Sequence, residues 1–162
     1  MGKLLGKKKV VLFDIDYTLF DTDLFKESQL KKHSVYEEVH TALNKLLSVA
    51  DLGIFSEGKV RLQTKKLKKT DIIDYFNKDF THIVEAKEKE LKKILQKYKN
   101  AKLFFVDDKL TILYKAKMID SSLSTIWVKR GPYAQKQRKI KNFVPDAIVG
   151  NLEEVVSLIA NY

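Results

Sequence analysis

The sequence contains no cysteine, two prolines, six glycines and three histidines in 162 residues. The absence of cysteine excludes disulfides, thiolate metal sites and a cysteine nucleophile, and it fits a reducing compartment. The histidines, His33, His40 and His82, are scattered and form no histidine-rich metal motif. A chain of this length buries about two thirds of its unfolded surface, so a core can form without cross-links. We expect a single domain spanning residues 1–162.

Long apolar runs are also missing. The opening segment MGKLLGKKK has no apolar core of signal-peptide length, and Gly6 occupies the position where a myristoylation signal has Ser or Thr. No later run approaches the length of a membrane span. We therefore expect a soluble, cytoplasmic protein with no membrane partner.

Arginine is scarce although the chain is basic. The formal net charge is +10, and 28 of the 31 basic residues are lysine. A basic surface attracts nucleic acid, whereas two-point recognition of phosphates and bases favours arginine. The positive charge can therefore reflect a polyanionic substrate or a lysine-rich bias of the whole proteome, and both explanations stay open. The segment 129–142 contains no acid, and we interpret it as a solvated basic loop, with contact to an anionic substrate as the alternative.

The sequence does contain a series of short apolar runs, at 10–13, 52–55, 82–84, 103–106, 124–128 and 147–149. Their lack of alternation is typical of strands buried on both faces of a sheet. Between them lie helical patterns, at 34–48, 59–76, 91–98, 110–119 and 152–159. Ser34 with Glu37 resembles a capping box at the start of the first helix. This alternation predicts an α/β fold: a doubly wound, mostly parallel sheet with helices on both faces.

Polar residues follow these runs at the points where strands should end, namely Asp14, Asp16, Thr18, Ser56, Asp107 and Asp108, with Lys87 at a helix start. Because ligands of such sheets bind at the carboxyl ends of the strands, we expect these side chains to converge. Four carboxylates suit Mg²⁺, which prefers oxygen ligands. One aspartate can then attack phosphorus, and a second can protonate the leaving oxygen and later deprotonate water.

The segments DIDYT, IFSEG, EAKEKEL and FFVDDK, in this order and spacing, resemble the motifs of the haloacid dehalogenase-like (HAD) superfamily of phosphatases. The resemblance covers essentially the whole chain, including PDAIVGNLEEVVSLI near its end. It implies a Rossmann-like core and magnesium-dependent hydrolysis of phosphate monoesters through an aspartyl-phosphate. It also implies a phosphatase and not a dehalogenase, because the dehalogenase pattern lacks a carboxylate at the position of Asp16.

The resemblance assigns roles to the four aspartates. Asp14 would be the nucleophile and, through one carboxylate oxygen, a metal ligand. Asp16 would be the general acid and base, and its backbone carbonyl would be a second metal ligand. Asp107 and Asp108 would complete the magnesium site, and the resemblance leaves open which of them contacts the metal directly.

The resemblance also assigns residues that contact the substrate. Thr18 would fix the turn after the first strand. Ser56 and the backbone amide of Glu57 would hold a phosphoryl oxygen. Lys87 would offset the negative charge of the acyl phosphate, with Lys89 as the alternative lysine.

The intervals between the motifs leave no room for a cap domain. Residues 14–56 hold a turn, a flap near 21–25 and a helix, and residues 56–87 hold a helix and a strand. We therefore expect an open site, closed by the substrate, a subunit partner or the flap. An open site suits a small phosphorylated molecule enclosed by oligomerisation, or a macromolecular end. The alternatives to a general phosphomonoesterase are thus a nucleic-acid end phosphatase and a non-catalytic binding or scaffold domain.

Overall fold

The computed structural model describes residues 7–162, so the prediction that the opening segment carries no signal peptide or myristoylation signal falls largely outside the described residues. The strands are β1 (Lys9–Phe13), β2 (Asp51–Glu57), β3 (Thr81–Val84), β4 (Lys102–Asp107), β5 (Ser124–Val128) and β6 (Ala147–Val149). They form one parallel sheet in the order β3-β2-β1-β4-β5-β6. All six predicted strands are confirmed.

Helices connect the strands, as expected for parallel neighbours, which cannot be joined by a tight turn. They are α1 (Thr22–Glu27), α2 (Val39–Leu46), α3 (Val60–Lys69), α4 (Lys87–Gln96), α5 (Leu110–Ile119), α6 (Gly131–Lys136) and α7 (Leu152–Ala160). Two 3₁₀ turns, Ile73–Tyr75 and Lys78–Phe80, precede β3. Within the described residues, no helix is long and apolar enough to cross a membrane.

The two faces of the sheet are buried under different helices. On one face, Val11 and Phe13 pack in a core with residues of α2, α3 and α7. On the other face, Val10 and Leu12 pack in a core with residues of α4 and α5. Successive residues of β1 therefore enter separate cores, which explains why the run shows no alternation of polarity. The doubly wound α/β fold with helices on both faces is confirmed.

The predicted capping box at Ser34 is wrong, since α2 begins only at Val39. The segment around Ser34 pairs with the chain that follows β1. The backbone N–H of Asp21 donates to the Ser34 carbonyl at 2.9 Å, and Phe20 forms an antiparallel bridge with Val35. The carbonyl of an N-cap residue accepts the first hydrogen bond of its helix, whereas the Ser34 carbonyl accepts from Asp21.

The helix predicted over 59–76 is also wrong at its end, because α3 stops at Lys69. Asp71 has a φ of 56°, a left-handed conformation that typically terminates an α-helix. The segment 129–142, expected to be a loop, contains the short helix α6. This helix and α1 both lie beside the carboxyl ends of the strands, where the candidate site is found.

Candidate active site

The candidate site lies where the strand order reverses. The chain passes from β1 outward to β2 and β3, then returns to β4 on the other side of β1. Asp14 follows β1 directly, and its backbone N–H donates to the Val106 carbonyl at 3.0 Å. This bond continues the β1–β4 ladder past the end of β1 and sets Asp14 beside the end of β4, where Asp107 and Asp108 lie.

Lys87 is the cation at the centre of the site. Its Nζ atom lies 3.0 Å from Asp14 Oδ1 and 2.6 Å from Asp107 Oδ2, and the residue is only 3% exposed. Burial disfavours the charged ammonium, but the carboxylates of Asp107 and Asp14 outweigh it and raise the pKa of Lys87 above its ordinary value. Lys89, the alternative lysine, is exposed.

The backbone of Lys87 is held as firmly as its side chain. Lys87 is the first residue of α4, and its N–H donates to Glu57 Oε2 at 2.8 Å. Such a bond satisfies one of the N–H groups that a helix start leaves unpaired. The Glu57 carboxylate therefore ties the end of β2 to the start of α4 and fixes where the Lys87 side chain enters the site.

The carboxyl group of Asp108 is buried, and no hydrogen bond from the described residues compensates for the lost contact with water. Asp108 is 1% exposed, and neither carboxylate oxygen has a hydrogen-bond partner in the described part of the chain. Trp127 Nε1 donates to the Asp108 backbone carbonyl at 2.9 Å and fixes the residue in place. Burial, with the negative charge of Asp107 as the second cause, raises the pKa of Asp108 to about 9. Burial also raises the pKa of Asp14 to about 6, against the effect of Lys87.

Asp14, Asp107 and Asp108 each present a carboxylate oxygen such that the three atoms lie within 4.8 Å of one another. Three hard oxygen donors in this arrangement fit Mg²⁺. The unpartnered oxygens of Asp108 support that fit, because a buried polar atom without a partner costs free energy that a cation would offset. The group that could hold the metal thus includes both residues of the fourth motif.

The carboxylate of Asp16 lies outside this group and is held by donors from two helices. Lys66 Nζ lies 2.7 Å and Thr22 Oγ1 3.0 Å from Asp16 Oδ1. Gln63 Nε2 donates to Asp16 Oδ2 at 2.9 Å. Sequence reasoning missed Thr22, Gln63 and Lys66. The available signal was weak: Gln63 and Lys66 are three residues apart and so share one helix face.

Ser56 and Thr18 are both fully buried in the structure. Ser56 Oγ accepts a hydrogen bond from Gln63 Nε2 at 2.9 Å. The Thr18 N–H donates to the Ile15 carbonyl at 3.3 Å, within the turn that follows β1. Neither side chain lines the pocket over the carboxylates, and their assigned roles toward the substrate stay predictions.

A pocket of about 290 Å³ opens over these groups. Its floor holds the carboxylates and the paired lysines described above. Its walls come from α1, the start of α5 and α6, and include Tyr17, Phe25, Lys26, Lys109 and Tyr133. Acids and two ammonium groups at the floor, with apolar and basic walls, can bind a phosphoryl group next to a carboxylate.

No protein-family model matches this sequence, and none of the curated proteins matches it significantly. Solved structures do match along nearly the whole chain. A haloacid dehalogenase-like hydrolase from Burkholderia xenovorans superposes with a TM-score of 0.79 at 22% identity, covering 96% of this chain and 98% of that one. A HAD-hydrolase from Bacillus subtilis, bound to magnesium, gives a TM-score of 0.70 at 13% identity, covering 94% and 99%.

The similarity extends to L-2-haloacid dehalogenases. The L-2-haloacid dehalogenase from Xanthobacter autotrophicus superposes with a TM-score of 0.67 at 14% identity, covering 94% of this chain and 98% of that one. At these identities the match concerns the arrangement of strands and helices. The chain therefore has the fold of the haloacid dehalogenase-like hydrolases, as its motifs predicted.

Proposed function

We propose that the protein is a magnesium-dependent phosphomonoesterase of the haloacid dehalogenase-like superfamily that works through an aspartyl-phosphate on Asp14. The observation that carries this proposal is the meeting of Asp14, Asp16 and Lys87 at one pocket. Two carboxylates in different surroundings can divide the work of nucleophile and acid–base group. The buried ammonium offsets negative charge where a phosphoryl group would sit.

The reaction has two steps. In the first, a carboxylate oxygen of Asp14 attacks phosphorus, the bond to the leaving oxygen breaks, and Asp16 gives that oxygen its proton. In the second, Asp16 takes a proton from water, and the water oxygen attacks the phosphorus of the acyl phosphate. Inorganic phosphate leaves and the Asp14 carboxylate is restored. Lys87, whose Nζ lies 3.0 Å from Asp14 Oδ1, supplies positive charge beside the attacking carboxylate.

Magnesium would be held by Asp14, Asp107 and Asp108, with the backbone carbonyl of Asp16 as the further ligand that the motif implies. When bound, it supplies positive charge that lowers the repulsion between the carboxylates and the phosphoryl oxygens. Asp107 accepts hydrogen bonds at both oxygens, from the Lys109 N–H at 2.8 Å and from Lys87 Nζ. The unpartnered Asp108 is therefore our candidate for the more direct ligand.

The choice between phosphatase and dehalogenase depends on Asp16. In the superfamily that the motifs of this chain resemble, the dehalogenase pattern has no carboxylate at this position. Here Asp16 lines the pocket, and Lys66 and Gln63 orient it. A carboxylate oriented in this way supports acid–base work on an oxygen leaving group. The presence of both motif aspartates also argues against a non-catalytic scaffold.

The substrate is expected to be a phosphomonoester that the open pocket can admit. The described residues between Asp14 and Ser56 form α1 and α2, and those between Ser56 and Lys87 form α3, two 3₁₀ turns and β3. No cap domain is built by either interval. We further propose a cytoplasmic location, and enclosure of small substrates by the α1 segment or by a second subunit.

The test is turnover of p-nitrophenyl phosphate by the wild type and by Asp14→Asn, each with Mg²⁺ and with a chelator. We expect turnover that needs Mg²⁺ and is abolished in Asp14→Asn, while Asp74→Asn, an exposed aspartate outside the site, keeps it. Turnover by Asp14→Asn would exclude Asp14 as nucleophile. Release of chloride from L-2-chloropropionate without phosphatase activity would instead assign the protein to dehalogenase chemistry.

A further inference from the structure

We infer that α6 and the residues after it form a second binding site beside the catalytic pocket, for the base and a second phosphate of a nucleotidic substrate. This inference deepens the proposed function and rests on it for the reaction itself. The site is a groove lined by Lys26, Pro132, Tyr133, Lys136, Gln137 and Arg138. We call it the α6 groove.

The α6 groove continues the catalytic pocket. Lys26 and Tyr133 line both cavities, one from α1 and the other from α6. A group bound in the groove can therefore be part of the same molecule as a phosphoryl group bound over Asp14. The groove thus contacts the leaving group of a substrate, the part that differs from one phosphomonoester to another.

The cations of the groove differ from those at the floor of the pocket. Lys66 and Lys87 each form a salt bridge with an aspartate. Within residues 7–162, Lys136 and Arg138 form none, and the groove is lined by no carboxylate. Lys26 forms no salt bridge either, and its Nζ donates to the Tyr17 hydroxyl at 3.3 Å. Neighbouring positive charges without counter-charges repel one another, and an anion that binds among them removes that cost.

An exposed aromatic ring lies among these cations. Tyr133 is 53% exposed, and its ring packs edge-on against Tyr17 with 6.5 Å between centroids. Lys109 Nζ lies 4.7 Å from the centroid of the Tyr133 ring. These two contacts hold the ring in place while part of its surface stays open to a ligand.

Gly131 sets the position of α6 against the site. Its φ is 77°, and a Cβ atom built there would overlap the ring of Tyr17. Only glycine allows this approach without strain. The backbone of α6 therefore sits directly on Tyr17, next to Asp16, and Tyr133 is carried to the mouth of the pocket.

An aromatic ring flanked by cations that form no salt bridge is the combination that binds single-stranded nucleotides, since bases stack on the ring and phosphates pair with the cations. We therefore assign the α6 groove to a ligand with a terminal phosphomonoester, a base and a second phosphate. Nucleoside bisphosphates and the phosphorylated ends of oligonucleotides share this chemistry. An acidic phosphopeptide supplies the negative charge and lacks the base.

The test measures binding to the Asp14→Asn protein in the presence of Mg²⁺, so that it does not depend on turnover. The ligands are adenosine 3′,5′-bisphosphate, adenosine 5′-monophosphate and an acidic phosphopeptide, titrated by calorimetry. We expect the bisphosphate to bind about tenfold more tightly than the monophosphate, because of the charge-assisted contacts to the second phosphate. Adding Lys136→Ala with Arg138→Ala should remove that preference.

The matched control adds Lys139→Ala with Lys141→Ala, which removes the same charge from the same segment outside the groove lining. This control should keep the tenfold preference. Equal binding of the two nucleotides, or an equal loss of the preference in both double variants, would overturn the assignment. Tighter binding of the phosphopeptide would overturn it as well.

Turnover by the wild-type protein then identifies the source of the ligand. A higher kcat/KM for adenosine 3′,5′-bisphosphate than for a phosphorylated trinucleotide indicates a small-molecule substrate, and the reverse indicates a nucleic-acid end; either supports the α6 groove. Failure of the proposed function is distinguishable, because absent turnover of p-nitrophenyl phosphate leaves the binding preference of the Asp14→Asn protein unaffected.

Discussion

Lys66 Nζ lies 2.7 Å from Asp16 Oδ1, although the two residues are 50 positions apart along the chain. The lysine reaches the first motif from α3, the helix that follows the second motif. With Gln63 from the same helix, it fixes the orientation of the carboxylate that we propose as the general acid and base. The relationship couples the acid–base group to a helix that contains none of the motif residues.

Replacing Lys66 by Met is expected to lower kcat about tenfold or more, because a disordered Asp16 transfers protons less efficiently. KM should change less than kcat, since Lys66 acts on the substrate through Asp16. Lys66→Arg, which keeps the charge, should restore part of the rate. Lys65→Met, at an exposed neighbouring position, serves as the control. If Lys66→Met and Lys65→Met have the same kcat, Lys66 does not position Asp16.

Replacing Lys87 by Met is expected to destabilise the metal-free protein by about 3–5 kcal/mol, because the buried carboxylates of Asp14 and Asp107 lose the one salt-bridge partner that they have within residues 7–162. Urea unfolding followed by circular dichroism measures this loss. Mg²⁺ should recover part of the lost stability, because its positive charge would offset the carboxylates in place of the Lys87 ammonium. Lys89→Met, two residues further along α4 and exposed, should cost far less. Equal losses in the two variants would show that the Lys87 ion pairs do not stabilise the fold.

Replacing Asp108 by Asn is expected to leave the metal-free protein at least as stable as the wild type, because Asn has nearly the same shape and cannot carry a buried negative charge beside Asp107 and Asp14. The same change should remove most of the rise in melting temperature that Mg²⁺ produces. A ligand that binds the folded state and not the unfolded state stabilises the folded state, and Asp108→Asn would lose one ligand of the metal. Differential scanning fluorimetry with and without Mg²⁺ measures both effects. A full Mg²⁺-induced rise in Asp108→Asn would show that this residue is not a metal ligand.

The motif residues could be predicted from the sequence because each follows an apolar run that reads as a buried strand. Parallel strands bring such positions to one edge of the sheet whatever the intervening chain does. Asp14 and Asp107, 93 positions apart, meet for this reason: both contact Lys87. The sequence therefore indicated the carboxylates and the sheet together.

Lys66 and Gln63 could not be predicted in the same way. They lie inside a helix rich in lysine, where the sequence does not distinguish a lysine facing the site from its solvated neighbours. Their role depends on how α3 packs over the turn after β1, which is a tertiary contact. The predicted start of α2 was wrong for a related reason, since the pairing of Phe20 with Val35 overrides the local capping signal at Ser34.

His82 should make stability depend on pH. It is buried beside Phe55 and Tyr98, and burial, assisted by the charge of Lys97, lowers its pKa from the ordinary value of 6.5 to about 4. Between these values the unfolded state binds more protons, so the free energy of unfolding falls as the pH drops through this range. His82→Gln should weaken that fall.

The free energy of unfolding is measured in urea at about pH 7 and about pH 5 for the wild type, His82→Gln and the control His33→Gln. The difference between the two pH values should shrink in His82→Gln and persist in His33→Gln. An unchanged difference in His82→Gln would mean that His82 does not carry this pH dependence.

Phosphorylation of Asp14 is tested most directly by the mass of an acid-quenched intermediate. The Asp16→Asn protein is mixed with p-nitrophenyl phosphate and Mg²⁺, because p-nitrophenolate leaves without a proton while hydrolysis of the acyl phosphate lacks its base. We predict the added mass of one phosphoryl group on the peptide that contains Asp14, and none when Asp14→Asn is added. If the wild type hydrolyses the substrate but the Asp16→Asn protein gains no such mass, or gains it on another peptide, Asp14 is not the nucleophile.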